Sequence, residues 1–538
     1  MPTLTRHLPL LNEVWRLALP VILSNLLVSL VNIVDVFMAG RLGPLAIAAV
    51  GLASGVQTLV LVGVMSVTFG AMTLAAQAFG AHDGALLSHI TRQSLLLTVL
   101  LSLVLGVVGW FAAEPLLYVL GSGEAVATQV TEMAVGYLRL LFAGTVFLGL
   151  NLTVNSLLQG VGDTLTPLYI TAAANVFNIV FNYLFMFGPG PLPALGVAGA
   201  ALGTLLARAI ASGLGLIIFY RGRGRVQLLP GSYRPDWGMF RNILSVGVPS
   251  GVQGVVRSGA QLLLLGVISA TAAGSYGVAA QAIGLQLESL AFMPGLAVSV
   301  AATSLVGQSL GAWRPDEARL RGNTAIVLGV LVMSVIALPM LAFAPQLIRA
   351  FDPSAHPTVI SAGTSYLRVN AVFLPLLAVA MVTNGTLRGA GDTRPGMIGT
   401  IVGRALIVVP LAQLLALRLG LGVVGVWWAL STGTVVQAAW VYLRWRSGRW
   451  VQVALHGSRL YREHLQGLPE PVQTRFLDEV RTPVMKLGAA EHVTPEGVLY
   501  TLGTAELTIR FTQGSFQLSG SLREPVTSSA PVPAHAYD

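Results

Sequence analysis

The chain has 538 residues, of which 54% are hydrophobic and only 10% charged, with a mean hydropathy of +0.75. Soluble domains carry about 25% charged residues, so the composition excludes a soluble globular protein and indicates a multi-pass protein of the lipid bilayer. The absence of cysteine excludes disulfides, thiolate metal sites and catalytic thiols. The net charge of +9 is spread between apolar runs, so nucleic acid is not the expected partner, and the single lysine, Lys486, follows no phosphate-loop pattern.

In chain order, apolar runs fall at about 15–38, 45–78, 93–112, 126–150, 165–187 and 196–220. A second set follows at about 241–267, 275–305, 323–345, 358–384, 396–418 and 422–446. Twelve spans of about 20 residues predict an all-α membrane protein. No short apolar segment with a small-residue cleavage site precedes the first run, so the N-terminus is expected to be retained.

The first run places one acid, Asp35, in an apolar stretch whose residues 17–40 carry no other charge. A carboxylate at membrane depth costs roughly 2.5–3.5 kcal/mol on insertion scales, and such residues are usually functional. At 100° per residue, Ser24, Asn25, Ser29, Asn32 and Asp35 fall within an arc of about 140°, a polar stripe that must face protein or water. Pro20 lies about 22 Å earlier along the axis, leaves a carbonyl unpaired and permits a bend. The alternative is a kink with a hydrogen-bonded packing acid.

Basic residues are unevenly distributed. Arg221, Arg223, Arg225, Arg234 and Arg241 crowd the link between the sets, Arg314, Arg319 and Arg321 another connection, and Arg444, Arg446 and Arg449 the end of the last span. The positive-inside rule places both termini and the link in the cytoplasm, below the inner (plasma) membrane.

The two sets repeat. NSLLQGVGDTLTP from Asn155 answers NGTLRGAGDTRPG from Asn384, an offset of 384 − 155 = 229. Tyr137 and Arg139 recur as Tyr366 and Arg368, Pro20 as Pro249, and the segment around Gln77 as that around Gln308. Six spans per repeat is an even number, which implies parallel repeats and a site between or within two pseudo-symmetric lobes. The expected organisation is an N-terminal lobe (1–220), a cytoplasmic linker (221–240), a C-terminal lobe (241–446) and a cytoplasmic extension (447–538). In the extension, 457–482 has helical spacing, VLYTL and ELTIRFTQGSFQLSG read as strands, and the last fifteen residues as disordered. It is expected to be a tail without chemistry, with a regulatory module as the alternative.

The fifth run carries Thr171, Asn175, Asn178 and Asn182 on one face. The equivalent positions of the other lobe are Thr400, Arg404, Ile407 and Leu411, and the counterpart of Asp35 is Leu264. The amides and the acid are therefore not imposed by the repeated scaffold, although interhelical hydrogen bonding of about 0.6 kcal/mol per contact is a competing role. The Gly-x-Gly-Asp turns at Gly160 and Gly389 are expected to be structural, with the Asp in a turn or at an N-cap. The duplicated Arg139 and Arg368 are likewise expected to be architectural. Arg257 and Glu288 are unduplicated charges, readable as a buried pair or as a second coupling site. The histidines have no metal-ligand spacing, so no metal site is expected.

VDVFMAGRLG around Asp35, NSLLQGVGDTLTP, NVFNIVFNYLFMFG, GVAGAALGT and the duplicated LRGAGDT and VGQSLGA segments resemble the multidrug and toxic compound extrusion (MATE) transporters. The similarity spans about Pro20 to Trp445, and the Asp35 pattern is most similar to the DinF-like branch. The resemblance implies a twelve-helix, two-lobe antiporter without cofactor. It would export amphipathic, often cationic drug-like compounds against an inward H+ or Na+ gradient. It further implies that Asp35 couples the ion, with Tyr137, Asn178 and Asn182 as neighbours and Pro20 as the bend. Two departures stand out. Asn182 occupies a position that is acidic in some archaeal members, and Arg257 lies near a helix-seven acid of other branches.

The expectation is a proton-coupled (or sodium-coupled) monomeric antiporter using Asp35, Asn32, Tyr137, Asn175, Asn178 and Asn182, its ion chemistry confined to the first lobe. Rival readings are a flippase for a lipid-linked precursor, which a strongly cationic cavity would favour, a membrane enzyme, for which no motif speaks, and a sensor signalling through the extension.

Overall fold

The computed structural model describes residues 2–120, 125–189, 193–222, 225–312, 314–456, 490–494, 497–502, 505–512 and 515–522. Expectations for 457–482 and for the last fifteen residues lie outside them. Contacts divide the chain into residues 1–312 with 316–451, and residues 313–315 with 452–538.

In the first unit, α1 (Pro2–Arg41), α2 (Pro44–Gly80), α3 (Gly84–Leu120), α4 (Ala125–Ala143), α5 (Thr145–Gly160), α6 (Leu165–Phe187) and α7 (Val197–Arg221) form the first set. The fourth predicted span is broken: α4 and α5 meet at Gly144 with a 50° bend. The second set comprises α8 (Trp237–Ser269), α9 (Gly274–Gly311), α10 (Pro315–Ala342), the short α11 (Ala344–Phe351) and α12 (Pro357–Gly389). It continues through α13 (Arg394–Thr400), α14 (Val409–Gln413), α15 (Gly422–Arg446) and the short α16 (Arg449–His456). A π-helical stretch, Ile401–Val408, joins α13 to α14, and a second, Leu414–Arg418, continues α14 to the end of the eleventh span.

Among the described residues, ten helices, or eleven spans with the bent pair, are long and apolar enough to cross a membrane. The twelfth, α15, falls short in hydropathy because it carries polar Ser431, Thr432, Thr434 and Gln437 and four tryptophans. It packs on α12 and buries Val426, Trp427, Leu430 and Ala438, so protein rather than lipid covers much of it. The result is an all-helical membrane fold with the twelve helices the sequence predicts.

The repeat motifs meet one another. Gln77 on α2 donates to the carbonyl of Gly389 at 3.0 Å, and its counterpart Gln308 on α9 donates to the carbonyl of Gly160 at 2.9 Å. One turn earlier, Thr73 reaches the carbonyl of Arg388 (3.1 Å) and Ser304 that of Gly160 (2.9 Å). A Cβ on Gly80 would lie 2.0 Å from the carbonyl oxygen of Gln308, and one on Gly311 1.9 Å from that of Gln77. Only glycine allows these backbones to touch. The guanidinium of Arg388 lies 3.9 Å from the ring centre of Phe69, closing the contact with a cation–π interaction.

The turns behave structurally, in two ways. Gly162 and Gly391 take positive φ (+78° and +80°). Asp163 then accepts from the backbone N–H and hydroxyl of Thr166 (3.0 and 2.7 Å), whereas Asp392 is ion-paired to Arg444 at 2.7 Å. Arg139 is paired with Glu114 at 2.9 Å. The connection before α8 is fastened to α3, where Gln93 bonds both the carbonyl of Arg234 and the N–H of Asp236.

In the second unit, β1 (Ala490–Thr494), β2 (Gly497–Leu502), β3 (Ala505–Thr512) and β4 (Ser515–Leu522) form an antiparallel meander in sequence order. Strands at β2 to β4 were legible from alternation; β1 was not.

Candidate functional site

The acid of α1 meets the amides of α6. Asn182 Nδ2 donates to Asp35 Oδ1 at 2.8 Å and also lies 3.2 Å from Asn178 Oδ1; Asn178 Nδ2 donates to Thr204 on α7 at 3.1 Å. Asn182 is fully buried and Asn178 nearly so. The spacing of four residues puts the two amides on one helical face, where each fixes the other.

Small residues make this possible. A Cβ on Gly199 would lie 2.2 Å from the carbonyl oxygen of Phe185, and one on Gly203 2.2 Å from Asn182 Oδ1, so α7 rests directly on α6. Tyr137 on α4 is partly buried, packs with Met38 and Ala39, and lies within electrostatic reach of Asp35. Arg208 on α7 is within electrostatic reach of both Asp35 and Tyr137. The cluster therefore holds an acid, a phenol, a guanidinium and two amides.

Two predicted members stand apart. Asn32 is exposed and makes no hydrogen bond among the described residues, because the stripe on α1 spans too wide an arc to face α6 throughout. Asn175 also fails to reach the acid, and its buried Nδ2 has no acceptor. Pro20 is buried inside α1, which runs unbroken past it.

Arg257 and Glu288 are not a pair. Glu288 on α9 accepts the hydroxyl of Tyr366 on α12, and the nearby guanidinium is that of Arg404. Arg257 instead lies over the ring of Phe292 at 5.3 Å, within electrostatic reach of Arg404. The counterpart of Asp35, Leu264, is buried and apolar, yet the second set has its own acid, phenol and guanidinium. The tyrosines of the two groups are equivalent by repeat, while acid and arginine enter from non-equivalent helices.

Sequence reasoning missed Arg208 and Thr204. The signal for Arg208 was present, a lone cation inside an apolar run whose counterpart at the repeat spacing is Gln437.

The family model described as MatE matches this chain twice, over residues 20–184 and 249–414. The chain belongs to the MatE family. The two matches coincide with the internal repeat, and the MatE proteins are membrane transporters, not enzymes. A probable multidrug resistance protein NorM from Thermotoga maritima is 28% identical over 444 residues, 82% of this chain and 94% of the relative. One from Mesorhizobium japonicum is 33% identical over 440 residues, 80% and 92% respectively. The solved outward-facing structure of a multidrug resistance MATE transporter of the MOP superfamily superposes with a TM-score of 0.76 at 26% identity, covering 82% of this chain and 96% of that one.

Proposed function

We propose that this MatE transporter exports amphipathic organic compounds bearing a cation, in exchange for protons, with Asp35 as the coupling group. The observation that carries this reading is the contact between Asp35 and Asn182. An acid inside a span is held by a single amide donor, with no fixed ion partner within salt-bridge distance among the described residues. Such an acid is free to exchange a proton for a cationic ligand.

Arg208 sharpens the exchange. With Asp35 ionised, the acid balances the guanidinium, and a cationic ligand meets a neutral or negative surface. With Asp35 protonated, Arg208 is uncompensated and repels that ligand. Proton and substrate then compete for one carboxylate, which suffices for antiport by alternating access. Tyr137, Asn178 and Asn182 shape the site, Asn32 and Asn175 border it, and Pro20 supplies the bend. Protons are favoured over sodium because Asp35 is the one acid of this cluster among the described residues, and a sodium ion requires several oxygen ligands.

The multidrug resistance names of the relatives support the substrate class. The Asp35 pattern supports a DinF-like branch, and the arginine distribution supports cytoplasmic termini in a plasma membrane. Two six-helix lobes in a monomer would rock about the glycine-lined contact.

The test is dye flux in vesicles containing the purified full chain, with pH and sodium gradients imposed separately. Export driven by the pH gradient alone supports proton coupling; export only with a sodium gradient overturns it.

A further inference from the structure

The charges of the second set do not match a purely cationic ligand. Arg257 stands exposed on α8, a membrane-spanning helix. A guanidinium at that depth avoids lipid and lines protein or a water-filled space. Among the described residues it donates no hydrogen bond and has no carboxylate within salt-bridge distance; it lies over the ring of Phe292, and α8 packs on the Ile401–Val408 stretch that carries Arg404, a like charge within electrostatic reach.

Arg404 is held in place by backbone geometry. A Cβ on Gly403 would lie 2.9 Å from the carbonyl oxygen of Gly433, so its stretch touches α15. The stretch is π-helical, a wide turn found frequently at functional sites. The side chain's one hydrogen bond is a 3.5 Å contact with the hydroxyl of Thr434. Glu288 is the carboxylate in reach, and it is engaged by Tyr366. One carboxylate balances only one of two guanidinium groups.

Donors without acceptors accumulate here. Gln261, one turn beyond Arg257, has a buried Nε2 with no partner. Trp427, whose ring meets that of Tyr366 at 4.8 Å, has a buried Nε1 with none. The repeat does not require any of this, since Val28 and Asn175 stand where the first set would have Arg257 and Arg404. Two guanidinium groups with surplus N–H donors match an oxyanion, which arginine binds through paired hydrogen bonds.

We propose that Arg257 and Arg404 form a subsite for an anionic group, a carboxylate or phosphate, carried by an amphipathic molecule. Together with Asp35 in the first set, this makes zwitterionic amphiphiles the favoured cargo. The inference rests on the export reading for its meaning, but its test uses equilibrium binding without any gradient, so a failure of coupling at Asp35 leaves it intact.

The probes are two matched dyes, rhodamine 110, with a free carboxylate, and rhodamine 123, its methyl ester. Fluorescence anisotropy titrations use the purified full chain in nanodiscs. The unsubstituted chain should bind rhodamine 110 more tightly. Arg257→Gln and Arg404→Gln should each weaken rhodamine 110 by about tenfold, the loss of a hydrogen bond to a charged group, and change rhodamine 123 less than about twofold. Arg257→Lys should keep part of the preference. Should Arg404→Gln not fold, the exposed Arg257 variants decide alone. Equal weakening of both dyes, or no change for rhodamine 110, overturns the proposal. Discs of neutral lipid and of lipid with added phosphatidylglycerol separate the sources of the anion. Selective loss of rhodamine 110 binding in anionic discs assigns the subsite to a phospholipid headgroup, and equal binding in both assigns it to the cargo.

Discussion

Gln77 reaches across the two helix sets to the carbonyl of Gly389 at 3.0 Å, and the repeat returns the same contact from Gln308 to Gly160 at 2.9 Å. A net hydrogen bond contributes about 1 kcal/mol, so removing both should shift the balance toward separated helix sets by about thirtyfold. The chain lacks cysteine, so spin labels at Gly84→Cys and Asp316→Cys report this separation specifically. The Gln77→Ala, Gln308→Ala double variant should populate longer label distances in pulsed resonance measurements. An unchanged distribution would show that the amides do not hold the contact.

Gly203→Ala should act on the site through Asn182. The added methyl would sit 2.2 Å from Asn182 Oδ1, and overpacking of this kind costs about 1–3 kcal/mol. Displacement of that side chain should reduce gradient-driven export at least as far as Asn182→Ala does. Gly213→Ala, where a Cβ meets open space, is the control and should export normally. Equal export by Gly203→Ala and Gly213→Ala would detach Asn182 from transport.

Asp236 caps α8. The backbone N–H of Met239, followed by the His89 side chain at 2.9 Å, holds its carboxyl below the usual range. A depressed folded pKa gives stability that is present above the unfolded value of about 3.9 and is lost as pH falls through the folded one. Asp236→Ala should therefore lower thermal stability at pH 7 by about 1 kcal/mol, an N-cap's contribution, and the difference from the unsubstituted chain should shrink below about pH 4. The side chain is partly exposed, so the electrostatic share is small. A difference independent of pH would assign the effect to the link rather than to the carboxylate.

Much of this was readable from residue identity. Apolar runs gave the helices, and the duplicated Gly-x-Gly-Asp turns gave the repeat, because glycines that bring backbones together tolerate little change. Asp35 and Asn182 were legible as costly or periodic polar groups in apolar runs. Their pairing needed only two adjacent helices. Asn32 makes no hydrogen bond among the described residues because a polar stripe of about 140° is wider than one helix contact. Arg257 and Glu288 both lack a charged counterpart at the repeat spacing, yet Glu288 turns to Tyr366. Periodicity assigns a residue to a face, and tertiary packing decides which helix that face meets. Arg208 and Arg404 were passed over for the same reason: each draws its meaning from an acid on another helix.

The central claim is that Asp35 must titrate for export to be driven. Asp35→Asn keeps the shape and removes the proton site. In sealed vesicles with an imposed pH gradient, this variant should lose gradient-driven dye export by at least tenfold and bind a cationic dye more weakly, since Arg208 is then uncompensated. Full pH-driven export by Asp35→Asn would contradict the account.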